Sequence, residues 1–109
     1  MKRGEVWTAA GGRGYTGKPR PVVVVQDDRF AATASVTVCP FTSDPTDAPL
    51  IRLPIEPSGT NGLKALSRLM VDKVTTMSRD QVRARLGVLS DDDVVRLNRA
   101  VVVFLGLAG

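Results

Sequence analysis

Positions 20–26 read R-P-V-V-V-V-Q, four consecutive β-branched residues with no polar position among them. A half-exposed strand alternates apolar with polar, so an unbroken run predicts a strand covered on both faces. Positions 5–9 alternate around Val6 and Trp7 and predict a first strand. Further strands follow at 36–41, 50–55, 65–70 and 71–77, separated by D-D-R-F-A-A-T-A, D-P-T-D-A-P and E-P-S-G-T-N-G, all rich in turn formers. The segment at 78–86, R-D-Q-V-R-A-R at its centre, reads as a short charged helix or turn, with G-V-L after it as a final strand. Helical periodicity enters only at the end, where Val94, Leu97, Val101 and Leu105 fall on one face behind Ser90, an N-cap residue followed by three aspartates that suit a helix N-terminus. Asp91, Asp92 and Asp93 are thus cap residues; no metal site is expected. Many short strands and one terminal helix predict a small, mainly β, antiparallel barrel with a C-terminal α-helix.

Size and composition narrow the function. With 109 residues the chain is one domain, 1–109, with room for a single core and none for a separate cofactor domain. No stretch approaches the roughly 20 apolar residues of a membrane span, and Glu5 interrupts any apolar signal segment, so a cytoplasmic protein is expected. The one cysteine, Cys39, has no internal disulfide partner and reads as a small buried hydrophobe. The net charge is +4, and its placement is uneven: the first twenty residues carry five bases against one acid, the rest ten of each. A polyanion would be drawn to that N-terminal segment, although the same charges also suit a solvated basic loop. Arg13 and Lys18 ride on a glycine-rich connection, A-G-G-R-G-Y-T-G-K-P, whose glycines lack the spacing of a nucleotide-binding fingerprint. Pro19 and Pro21 hold Lys18 and Arg20 extended, so Arg20 enters its strand as a placed charge.

No histidine is present. That removes the commonest general acid–base group, the commonest metal ligand and any His-dependent triad. Arginine, hydroxyls at strand ends and a few carboxylates remain. RNA is a polymer on which so small a kit suffices, because its own 2′-hydroxyl lies beside the scissile phosphate. A guanidinium fork holding phosphate oxygens contributes on the order of 3 kcal/mol per donor to the transition state. Arginine is a poor base, since its pKa exceeds about 12, so the group that takes the 2′-proton is unassigned.

In the segments M-K-R-G-E-V-W, K-P-R-P-V-V-V-V-Q, V-C-P-F-T-S and S-R-L-M-V-D-K-V-T-T-M, in that order, the chain resembles the MazF/PemK family of toxin endoribonucleases over nearly its whole length. The resemblance implies an SH3-like barrel of the CcdB/Kid/MazF type, forming a homodimer and neutralised by a cognate antitoxin. It implies metal-independent, cofactor-free cleavage of single-stranded RNA (mRNA, tRNA or rRNA) at short specific sequences, leaving a 2′,3′-cyclic phosphate and a 5′-hydroxyl and inhibiting translation and growth. By position it gives Arg20 the catalytic role of phosphate neutralisation and leaving-group protonation, and Thr42 that of phosphate binding. Arg13, Tyr15, Lys18, Ser43, Asp72 and Lys73 are the candidate RNA-binding residues. Two departures bear on sequence preference: Tyr15 stands where several relatives carry an acid, a place from which it could stack on a base, and Asp72-Lys73-Val74-Thr75-Thr76 replaces acid-Gln-Ile-Arg-Thr. Ser43 also reads as a strand terminator, Lys73 as a solvated edge charge and Trp7 as core. Two other functions are compatible with the fold: a CcdB-like gyrase poison, whose C-terminal aromatic end this chain lacks, and an RNA-binding module without activity.

Overall fold

The computed structural model describes residues 1–10 and 19–108. Seven strands are found among them: β1 (Glu5–Ala9), β2 (Arg20–Val24), β3 (Ser35–Thr42), β4 (Arg52–Ile55), β5 (Ser67–Met70), β6 (Thr75–Ser78) and β7 (Val82–Val88), followed by helix α1 (Asp91–Phe104). Every ladder is antiparallel, and the sheet runs β4-β5-β3-β2-β1-β7 with β6 beside β3. The mainly β fold with a C-terminal helix is the expected one. Among the described residues no ladder joins β4 to β7, so the bent sheet is not a closed barrel.

Strand β3 organises the bend. Its first half pairs with β6, from Ser35 opposite Ser78 to Val38 opposite Thr75, and its end pairs with β5, where Phe41 faces Leu69 and Thr42 faces Arg68. Pro40 sits at the changeover, where its missing N–H costs no ladder bond on that side. The valine run of β2 is covered on both faces, as its lack of alternation requires: Val23 joins Val6, Cys39, Phe41 and Leu69 in the larger core, while Val22 and Val24 join Ala9, Val36 and Val38 in a smaller one. Helix α1 covers the larger core through Leu97 and Ala100, with Val94 and Val101 packed at its margin. Ser90 Oγ accepts the Asp93 N–H at 3.1 Å, confirming the cap. Leu105, expected on the buried face, is the C-cap residue and is exposed, because the helix outruns the core beneath it.

The segment after Ser78, expected as a short charged helix or turn, begins with the turn but does not end there. A single 3₁₀ turn, Arg79–Gln81, is followed by strand rather than helix, because Val82, Ala84, Leu86 and Val88 alternate with Arg83, Arg85 and Gly87 at period two. Strand β7 pairs with β1, and Gly87 is packed so closely on the 60–61 backbone that a Cβ there would overlap the Thr60 carbonyl oxygen. Val71–Lys73 is likewise a 3₁₀ turn, which shortens the expected 71–77 strand to β6. Trp7 is half-buried against the smaller core, and its indole N–H donates to Glu5 Oε1 at 3.1 Å.

Candidate active site

Antiparallel pairing carries Arg20 to Thr42. Arg20 is the first residue of β2, exposed, and opposite Ala9 of β1. In the β2–β3 ladder Val22 faces Pro40, Val23 faces Cys39 and Val24 faces Val38; the same register continued two residues sets Arg20 across from Thr42. Hydrogen bonding stops short of that pair because Pro21 has no N–H to give. Thr42 in turn faces Arg68 of β5. Directly opposed residues project from one face of a sheet, so Thr42 and Arg68 share a face, and the continued register puts Arg20 in the same cross-strand row. With strands about 4.8 Å apart, the two arginine backbones stand about 10 Å from each other, within reach of one phosphate group for side chains of that length.

Two cavities open beside this row. The first, about 230 Å³, is bounded by Arg20, Val22, Pro40, Thr75, Met77 and Gln81. The second, about 370 Å³, has Thr42, Asp44, Thr46, Arg52, Met70 and Lys73 in its wall. Thr42 Oγ1 accepts the Asp44 N–H at 3.1 Å, which leaves its O–H to donate outward. The Asp44 carboxylate accepts from the Thr46 hydroxyl at 2.7 Å and the Thr46 N–H at 3.0 Å. Those bonds, the hydroxyl's foremost, with a smaller pull from Arg52 and Arg68, hold Asp44 below the ordinary aspartate range. It is an anion at neutral pH and a weak base.

Of the residues singled out from sequence, Arg20 and Thr42 share the row. Lys73 is exposed in the second cavity, and Ser43 is exposed immediately after β3. Asp72 is engaged by the Arg52 guanidinium, so it orients Arg52 in the cavity wall. Arg13, Tyr15 and Lys18 lie outside the described residues. Four neighbours were not anticipated: Arg68, Arg52, Thr75 and Gln81. The alternation in S-R-L-M does put Arg68 on the face opposite buried Leu69, but its pairing with Thr42 joins residues 26 positions apart in the chain, which no local pattern encodes. Among the described residues, no group of three or more His, Cys, Asp or Glu side chains converges.

The chain is a small β protein with an open, antiparallel sheet and a basic row at a strand end. Residues 2–105 match the family described as PemK-like, MazF-like toxin of type II toxin–antitoxin system, and the chain belongs to that family. It is 58% identical, over the full length of both chains, to a protein of Mycolicibacterium smegmatis named probable endoribonuclease MazF. Among solved structures it is similar to an endoribonuclease in complex with its cognate antitoxin from mycobacterial species (TM-score 0.81, 23% identity, covering 98% of this chain and 96% of that one). It is also similar to a MazE–MazF structure from Deinococcus radiodurans (TM-score 0.73, 18% identity, 98% and 97% covered). At those identities the structural likenesses establish the fold.

Proposed function

We propose that the chain is a toxin endoribonuclease that cleaves single-stranded RNA at short specific sequences. The observation that carries this reading is the register of β3, which pairs Thr42 with Arg68 and, continued two residues beyond Val22 and Pro40, brings Arg20 into the same row, beside two cavities. Its full-length relative's name, probable endoribonuclease MazF, supports the activity.

In the proposed reaction Arg20 neutralises the scissile phosphate, and Thr42 donates its O–H to a non-bridging oxygen. The 2′-oxygen bonds to phosphorus as the bond to the 5′-oxygen breaks. The 2′-proton leaves to solvent and the departing 5′-oxygen is protonated, the role the resemblance gives to Arg20, leaving a 2′,3′-cyclic phosphate and a 5′-hydroxyl. Because the substrate carries the nucleophile and the guanidinium carries the compensating charge, the scheme requires no metal. Arg20→Ala should abolish cleavage of single-stranded RNA in EDTA while leaving the circular dichroism spectrum intact; undiminished cleavage would sink the assignment. RNA bound tightly with no product after long incubation would instead mark a binding module.

Two partners belong to the same reading. An antitoxin partner is supported by the antitoxin complex among the similar structures, and it would neutralise the chain by covering the row. A homodimer is supported by the apolar end of the chain, where Phe104, Leu105 and Leu107 are about half to three-quarters exposed. Sedimentation equilibrium should give twice the chain mass at micromolar concentration, and a monomer there would count against the dimer.

A further inference from the structure

The cavity beside Arg20 contains a glutamine whose amide is half committed. Gln81 closes a capping box on the 3₁₀ turn: the Ser78 N–H donates to Gln81 Oε1 at 3.3 Å, and Ser78 Oγ accepts from the Asp80 N–H at 3.3 Å. A backbone N–H can only donate, so the amide oxygen is held toward Ser78 and the Nε2 hydrogens are what remain. Among the described residues Nε2 has no hydrogen-bond partner, and Gln81 lines the cavity. The other walls are chiefly apolar, with Val22, Pro40 and Met77 prominent. At about 230 Å³ the space exceeds the roughly 150 Å³ of an engineered cavity that admits benzene. Arg20 sits at its edge, so a base lodged here would belong to a nucleotide adjoining the phosphate that Arg20 holds.

We propose that this cavity is a nucleobase pocket, and that Gln81 Nε2 selects a base bearing a keto oxygen, uracil O4 or guanine O6, over one bearing an exocyclic amine, cytosine N4 or adenine N6. The proposal rests on the RNA-cleavage reading and names the part of the substrate that this side of the site distinguishes. A glutamine with both amide atoms free pairs with adenine, accepting from N6 while donating to N7. Here the accepting half is occupied within the turn. An amino group brought against Nε2 sets donor against donor and leaves both unpaired, which costs more than the bond to a keto oxygen gains.

The decisive variant is Gln81→Glu. Glutamate also serves in capping boxes, so one oxygen retains the bond from the Ser78 N–H while the other turns the donor into an acceptor. RNAs that differ only by uracil against cytosine, or guanine against adenine, at each nucleotide flanking the cut are compared by the ratio of kcat/KM, in which any uniform effect of the added negative charge cancels. The wild-type chain should favour the keto base at one of the two positions by on the order of tenfold, and Gln81→Glu should bring that ratio below one. The same ratio is read from fluorescence anisotropy with RNAs carrying a 2′-deoxy nucleotide at the cut, so a variant that binds without cleaving still decides the matter. An unchanged ratio in Gln81→Glu, or a wild-type preference for the amine at both positions, would overturn the pocket assignment. Failure of the wild-type chain to cleave any RNA would instead remove the nuclease reading, leaving the binding ratio to judge the pocket.

Discussion

In the proposed reaction the donor on Thr42 is aimed by the bond its oxygen already accepts. With the Asp44 N–H on Oγ1, the hydroxyl proton is aimed away from the turn, where it can meet a phosphate oxygen. Thr42→Val keeps the shape and removes that donor, so kcat/KM should fall roughly a hundredfold, the scale set by deleting one preorganised donor. Arg68→Ala removes the outer member of the row, and a loss on the order of tenfold, mainly in KM, is expected for a charged contact that positions substrate; steady-state kinetics on a short fluorogenic RNA separates the two. A different residue on β3 is silent for a physical reason. Burial pushes the Cys39 thiol up to about 12, so almost no thiolate exists at neutral pH, and iodoacetamide should label it only when the chain unfolds.

The edge strand β7 is held by interactions a helix could not have made. Its Arg85 pairs with Glu5 of β1 at 3.2 Å, and Val88 N–H donates to the Thr60 carbonyl at 2.8 Å. Gly87→Ala would force Cβ into the Thr60 oxygen; the strand must shift, and thermal unfolding should move down by several degrees. At Glu5, burial raises the carboxyl pKa, but the Lys2 N–H, the Trp7 indole N–H and Arg85 together outweigh it and hold the group below its ordinary value of 4.5. A depressed carboxylate contributes stability that is complete above the unfolded pKa and is lost as pH falls through the lower folded one. Glu5→Gln should therefore cost stability at pH 7 and show a shallower further loss than the wild type as pH falls below 4.5, as read from urea midpoints.

Across the molecule, charge and sheet curvature act together. The excess positive charge lies in the first twenty residues, which end at Arg20, while β5 brings Arg68 to the same row from the other side. If RNA covers three or four phosphates, log affinity should fall against log salt with a slope of roughly −2 to −3. A titration between low and moderate salt by anisotropy checks this, and a slope near zero would mean that the row does not meet the RNA backbone.

Much of this was legible in the chain. The valine run announced a doubly covered strand, Ser90 a helix start, the flanking prolines a stiff arginine at position 20, and the absence of histidine excluded whole classes of chemistry, because each depends on neighbours within a few residues. The 78–86 segment reads as a helix or turn and yields its turn only at 79–81, because its charged residues suit either period over so short a span and pairing with β1 makes the remainder strand. Arg68 beside Thr42, Asp72 turned onto Arg52, and the half-occupied amide of Gln81 in a cavity with Arg20 were not legible. Each is a meeting of segments far apart in sequence, brought about by strand register and by the switch of β3 from β6 to β5 at Pro40. Hydrophobic pattern and backbone preference are local and survive in the one-dimensional record; the juxtaposition of polar groups is created by packing and exists only once the sheet has bent.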